Sequence, residues 1–218
     1  MREKIQRRNF LKTMAGAGLT LSAVKAVAAD MCQITAEQTS GPFYPGESSF
    51  EVTNDLTRVP GRAKPASGEV VILLGTVVDT LCRPVVDANV EIWQACASGR
   101  YNNPRDPNPA PLDPDFRYWG EAYTDASGAF EFKTIKPGAY PADVDWDRPP
   151  HIHVRISRRG YREIITQLYF KGDPLNDLDK ILIATPAAQR DALVVDFQPS
   201  REQSGVLVGQ CQLTIQKV

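Results

Sequence analysis

The two histidines of this chain, His151 and His153, stand one residue apart directly after Arg148-Pro149-Pro150, and two upstream tyrosines, Tyr101 and Tyr140, are the candidates to complete a metal site with them. In an extended strand side chains alternate faces, so His151, His153 and Arg155 share one face and Ile152, Val154 and Ile156 the other. The two prolines favour an extended lead-in and narrow the ways the strand can begin. Two neutral nitrogens and two phenolates form a hard anionic donor set, which suits trivalent iron better than a soft or divalent metal. Charge counting agrees. Fe(III) with two tyrosinates and one hydroxide is formally neutral, so such a centre can be buried without a large uncompensated charge. A catechol bound as a dianion in place of hydroxide and one tyrosinate keeps the sum at zero, and the two protons it releases have acceptors. If such a ligand binds, the set can do redox chemistry on its ring.

Those side chains need a rigid frame, and the frame reads as strands. Glu69 to Asp79 is a β-branched run, Asn89 to Gln94 alternates, and Ala129 to Thr134 alternates with Phe130 and Phe132 on one face. Turn signals at Asp125-Ala126-Ser127-Gly128 and Lys136-Pro137-Gly138 punctuate them. Further strands fit His151 to Ser157, Glu163 to Phe170, Ala192 to Phe197 and Val206 to Gln216, with helical periodicity weak beyond the N-terminus. The expected fold is all-β, an antiparallel β-sandwich. Two connections, Arg100 to Tyr118 and Lys171 to Arg190, exceed ordinary loop lengths and are expected to build the site, Tyr101 opening the first. Residues 30–68 are rich in Pro, Gly, Ser and Thr and read as an N-terminal arm laid over a catalytic domain at 69–218.

Ahead of the arm, Arg7-Arg8-Asn9-Phe10-Leu11-Lys12 and the Gly/Ala-rich apolar run from Met14 to Val24 read as a twin-arginine export signal spanning 1–29, cleaved after Ala28 or Ala29. The run is too short and too glycine-rich to suit a bilayer span, so no stable membrane insertion is expected after export. That route carries folded proteins and is often used when a cofactor is inserted first, and it leads to a periplasmic or secreted location. Removing the segment takes six of 25 basic and one of 26 acidic residues, leaving 19 against 25. An acidic chain with no basic cluster is not built for nucleic acid. Cys32, Cys82, Cys96 and Cys211 match no zinc or redox spacing; they read as structural bridges or buried thiols, with the pairing open.

Several short segments, taken together, resemble the intradiol aromatic-ring dioxygenases. They are Val90-Glu91-Ile92-Trp93-Gln94-Ala95, Gly99-Arg100-Tyr101, Thr124-Asp125, Lys136-Pro137-Gly138-Ala139-Tyr140-Pro141, Arg148-Pro149-Pro150-His151-Ile152-His153 and Thr166-Gln167-Leu168-Tyr169-Phe170, joined by Thr39-Ser40-Gly41-Pro42-Phe43-Tyr44-Pro45. A lone His-X-His is weak, but the combination in this order is specific. It is similar to the protocatechuate 3,4-dioxygenase type. The resemblance implies that Tyr101, Tyr140, His151 and His153 bind non-haem Fe(III), with Tyr140 the displaceable ligand. It implies that Arg148 stabilises anionic character on the bound ring, that Gln167 positions intermediates, and that O2 cleaves the ring between its two hydroxylated carbons to give a cis,cis-muconate. By analogy Gly41, Pro42 and Tyr44 line the substrate pocket; the other reading is an arm that only packs on the sandwich. Many protocatechuate enzymes have Trp after the Tyr-Pro of the displaceable ligand, whereas here Ala142 follows Pro141, which implies a wider pocket and leaves the catechol open.

A different class of reading is a non-catalytic, transthyretin-like β-sandwich binding module, which segments such as Gly75 to Asp79 and Thr124-Asp125 to Lys136-Pro137-Gly138 also resemble. Such modules need neither His-X-His nor paired tyrosines. A zinc hydrolase would require a third ligand that no motif supplies. Since one chain carries every proposed ligand, a homo-oligomer is expected to suffice, with a small aromatic diol and O2 as reaction partners and the twin-arginine machinery as a transient one.

Overall fold

The computed structural model describes residues 31–45 and 52–218, so the expected export signal lies outside the described residues. Strand β1 (Val70–Asp79) sets the frame. Val71, Leu73 and Val77 are fully buried while Ile72, Leu74 and Thr76 are only partly covered, the period-two pattern of a strand with one face on a core. It lies between β4 (Ala129–Ile135) and β11 (Val206–Ile215), and a short β10 (Gln198–Pro199) flanks β11, in the order β10-β11-β1-β4. Phe130 and Phe132 on β4 are both buried, as the alternation predicts.

The second sheet holds β3 (Trp119–Tyr123), β2 (Asn89–Trp93), β7 (His151–Ser157), β8 (Ile164–Phe170) and β9 (Val194–Val195), in that order. A separate hairpin pairs β5 (Tyr140–Asp143) with β6 (Trp146–Arg148). One apolar core draws Val71, Leu73, Phe132 and Leu213 from the first sheet and Ile92, Ile152, Val154 and Leu168 from the second. This mostly-β arrangement of two sheets about one core is consistent with the expected sandwich.

Pairing is not antiparallel throughout. β1 and β11 run parallel over their whole length, from Val70 opposite Val206 to Asp79 opposite Ile215, and β8 pairs with β9 in parallel. A parallel pair needs a crossover rather than a tight turn, and between β1 and β11 the chain builds the entire second sheet. The connection 171–190 is partly helical: a 3-10 turn at Pro174–Leu178 precedes α1 (Lys180–Ala184) and α2 (Ala187–Arg190). Helices of four or five residues are too short to register a 3.6-residue period in sequence. The run expected from Ala192 to Phe197 is a strand only at β9, because Asp191–Leu193 closes a second 3-10 turn. β3, β5 and β6 have no alternating apolar pattern and were not expected; β3 is recruited by its pairing with β2.

Residues 31–45 span both sheets. The Thr35 N–H donates to Thr214 O, the Gln38 N–H donates to Ile165 O, and Cys32 is disulfide-bonded to Cys82. Among the described residues Cys96 and Cys211 are free thiols.

Candidate metal centre

Backbone register assembles the site. With Ile152, Val154 and Ile156 in the core, β7 turns His151 and His153 to its other face. There His153 lies opposite Trp93 on β2 and Gln167 on β8, while His151 lies opposite Tyr169. The β5–β6 hairpin places Tyr140 opposite Arg148. Tyr101 arrives from the other long connection, where the Asp106 carboxylate accepts from its backbone N–H at 2.7 Å.

Two glycines lock the tyrosine-bearing segments together. Gly99 has φ +83°, and a Cβ there would lie 2.2 Å from the Ala139 carbonyl oxygen; one at Gly138 would lie 2.5 Å from the Gly99 nitrogen. Only a residue without a Cβ permits this approach. The Cys96 carbonyl then accepts from both Gly99 N–H, at 2.9 Å, and Gly138 N–H, at 3.0 Å.

All four proposed ligands are buried. Tyr101 Oη is 3.3 Å from His151 Nε2, and the Tyr101 and Tyr140 rings meet edge to face at 5.6 Å. His151 Nδ1 is 2.7 Å from the Pro149 carbonyl, which can only accept, so Nδ1 carries the proton and Nε2 presents a lone pair. His153 stacks on Trp93 with ring centres 4.7 Å apart, and its Nδ1 is buried without a partner. Burial, and then the Arg148 charge, push His151 down to about 3. His153 is likewise held well below its ordinary value by burial, then by His151 and Arg148. Both imidazoles are therefore neutral, as ligands must be. Burial raises both phenols, Tyr101 further because Tyr140 adds to the effect, while Arg148 opposes the rise at Tyr140. Among the described residues no group of three His, Cys, Asp or Glu side chains assembles to hold a metal, so the tyrosines are needed to complete this set. Two neutral nitrogens and two phenols that ionise most readily beside a cation fit trivalent iron, as the donor types alone suggest.

Arg148 is the hub. Its Nη1 is 3.2 Å from His151 Nε2, and Nη2 donates to Gln167 Oε1 at 2.9 Å and Tyr169 Oη at 3.2 Å. Its Nε donates to Asp179 Oδ2 at 2.9 Å. Gln167, wholly buried, also donates through Nε2 to Thr39 O at 3.1 Å. The structure thus brings Arg148 and Gln167 together with His151, Tyr101 and Tyr140.

The proposed pocket residues are placed less uniformly. A Cβ at Gly41 would lie 3.5 Å from His153 Cε1, so Gly41 faces the site. Pro42 is exposed. The Tyr44 hydroxyl donates to Glu91 at 2.7 Å and its ring meets Trp93 edge-on, behind the His153 stack. Phe43, which sequence reasoning passed over, packs on Tyr101 at 4.9 Å between ring centres. Ala142 is exposed, and the same hairpin presents Trp146 instead, its ring 5.6 Å from Arg148 Cζ and 5.0 Å from Lys180 Nζ. Asp179 and Tyr169 were also missed. For Asp179 the available signal was an acidic residue immediately before the apolar run Lys180-Ile181-Leu182-Ile183-Ala184, a helix N-cap.

Comparison with known proteins agrees with this geometry. The Dioxygenase_C family, described as a dioxygenase, matches residues 39–211. The protocatechuate 3,4-dioxygenase beta chain of Burkholderia cepacia is 40% identical over 172 residues, covering 77% of this chain and 73% of that one. The catechol 1,2-dioxygenase of Candida albicans is 28% identical over 191 residues, 82% of this chain but only 59% of the longer enzyme. In three dimensions the chain is similar to 3-chlorocatechol 1,2-dioxygenase of Rhodococcus opacus 1CP, with TM-score 0.69 and 26% identity over 91% of this chain and 79% of that one. These relatives are enzymes, not binding modules. A match across most of the chain, joined to a buried His-Tyr-Arg constellation, establishes that the chain belongs to this dioxygenase family and is an intradiol ring-cleavage enzyme.

Proposed function

We propose that this protein is an exported non-haem Fe(III) enzyme that cleaves a catechol-type ring with O2 between the two hydroxylated carbons, releasing a cis,cis-muconate. The observation that carries the reading is the convergence of two neutral imidazoles and two phenols, all buried, beside a buried guanidinium. Tyr101, Tyr140, His151 and His153 would hold the metal, with Tyr140 the displaceable one by the family resemblance. When bound, iron would supply a Lewis-acidic, redox-active centre for chemistry on an aromatic diol and O2. The chain supplies the rest. Tyr140 Oη would be placed to accept one catechol proton. Arg148 meets negative charge on the bound ring from a fixed position in a water-poor site, where such a charge acts most strongly. Gln167 Oε1 steadies that guanidinium. Gly41 faces His153, and Trp146 rather than the exposed Ala142 is the bulky hairpin side chain beside Arg148.

The relatives include separate alpha and beta protocatechuate chains from Burkholderia cepacia. Because one chain here carries all four ligands, we propose a homo-oligomer. Export by the twin-arginine route to the periplasm or beyond rests on Arg7-Arg8 and the run that follows. Fractionation of cells making the wild type and an Arg7→Lys/Arg8→Lys variant tests it: retention of the variant alone in the cytoplasm supports the route, and equal export of both refutes it.

Function is tested by anaerobic titration of the purified protein with a panel of catechols while its visible spectrum is followed, then by admitting O2 and identifying the product. A coloured protein whose spectrum shifts on binding and yields a muconate supports the reading and ranks substrates. A protein colourless after iron reconstitution would sink it.

A further inference from the structure

The long connection 171–190 was expected to contribute to the site, and what it delivers is a single buried charge. Asp179 is fully buried and carries four donors. Its Oδ1 accepts from the backbone N–H of Ile181 at 3.1 Å and of Leu182 at 2.8 Å, capping α1, and from Arg148 Nη2 at 3.3 Å. Its Oδ2 accepts from Arg148 Nε at 2.9 Å. A guanidinium is a rigid planar fork, so fixing the Nε edge on a carboxylate fixes its plane and the direction of the opposite edge. That edge, through Nη1, is the one 3.2 Å from His151 Nε2. The pair also matters for charge: an uncompensated guanidinium this close to a donor nitrogen would oppose any bound cation, whereas an ion pair presents little net charge.

We propose that Asp179 is the positioning residue of the ring-cleavage reaction. It holds the Arg148 guanidinium in plane and offsets its charge, so that Arg148 faces the ring-binding site without repelling the metal, and it ties segment 171–190 to the centre. Asp179 acts through Arg148 and is not itself a ligand or an acid-base group. The inference rests on the role given above to Arg148.

The test is a double-mutant cycle of Asp179→Asn, Arg148→Ala and the double variant. Asn keeps the size and the cap-accepting oxygen but removes the charge; Asp179→Ser, which retains a capping oxygen, substitutes for it if Asn does not fold. In iron-loaded protein turning over a catechol, Asp179→Asn is expected to lower kcat by about 10- to 100-fold, as loss of an outer-shell partner typically does, with KM changing less. In the Arg148→Ala background the same change should have little further effect. Equal losses in both backgrounds, or wild-type kcat in Asp179→Asn, would overturn the proposal. A second readout needs no activity: in iron-free protein the double variant should lose much less in thermal midpoint than the sum of the two single losses, because each single change strands a buried charge. Strict additivity there overturns the pairing. If the wild type cleaves no catechol while the thermal cycle shows coupling, the functional reading fails and the Asp179–Arg148 pairing stands.

Discussion

At the scale of single residues, the proposed metal centre depends on groups that are neutral in isolation and ionise readily beside a metal. Tyr101 is buried with its oxygen 3.3 Å from the His151 lone pair. Tyr101→Phe removes one anionic donor, so the variant should retain less iron and lose intensity in its visible tyrosinate-to-iron absorption; unchanged colour and metal content would remove Tyr101 from the ligand set. Arg148→Ala is expected to keep iron but slow turnover by about 10²- to 10³-fold, the scale of a lost electrostatic stabiliser. It should also lower stability by about 3–5 kcal/mol, because Asp179 would be left as an unpaired buried carboxylate. Steady-state kinetics with metal analysis and a thermal melt separate the two effects, and full activity would refute the electrostatic role.

Among the elements, the closest fit is where the segments carrying Tyr101 and Tyr140 interlock at Gly99 and Gly138. Gly99→Ala asks an alanine to adopt φ +83° with its Cβ against the Ala139 carbonyl. A loss of about 1–3 kcal/mol is expected, together with less bound iron as the two tyrosines are forced apart. Unchanged melting and unchanged iron stoichiometry would show that the contact is dispensable. At the end of β1, Asp79 is almost fully buried and accepts from Arg83 Nε at 2.8 Å and from the backbone N–H groups of Leu81 and Arg83. Burial alone would raise its pKa, but the Arg83 and backbone hydrogen bonds outweigh it and hold the carboxyl below its ordinary value. Its stabilising contribution is therefore present above the unfolded value of about 3.9 and is lost as pH falls through the lower folded one. Asp79→Asn should be less stable than wild type near neutrality, with the gap closing below about pH 4; denaturant melts across that range would show it, and a gap independent of pH would exclude the ion.

For the whole molecule, the decisive feature is that residues 31–45 bind both sheets and also reach the site. Gln38 meets β8, Thr35 meets β11, and Thr39 accepts from Gln167, while the Cys32–Cys82 bond, closing a separation of 50 residues, anchors the start of this segment to the turn after β1. Reduction should cost about 2–4 kcal/mol by releasing the unfolded chain, and should loosen Gly41 from His153. Thermal melts with and without reductant test the first point. Iron release under the same conditions tests the second, and reduction without effect on either would make the bond incidental.

The candidate ligands, their strand and its alternation were legible from the sequence because they are local. A His-X-His after two prolines reads as an extended start with both imidazoles on one face, and period-two patterning fixes which face is apolar. β1, β4, β7, β8 and β11 were placed within a residue or two of their observed ends for the same reason. What was not legible is what depends on partners far along the chain. The parallel pairing of β1 with β11 has no signature in either strand, since an alternating strand accepts a neighbour in either direction. The one-turn helices of segment 171–190 are too short for a period. Asp179 looks like an ordinary helix cap until the fold brings Arg148 to it from 31 residues away. The sequence by itself determined which side chains are the candidates for the chemistry. Tertiary structure decided how they are held, because a buried charge gains its meaning only from what is folded against it.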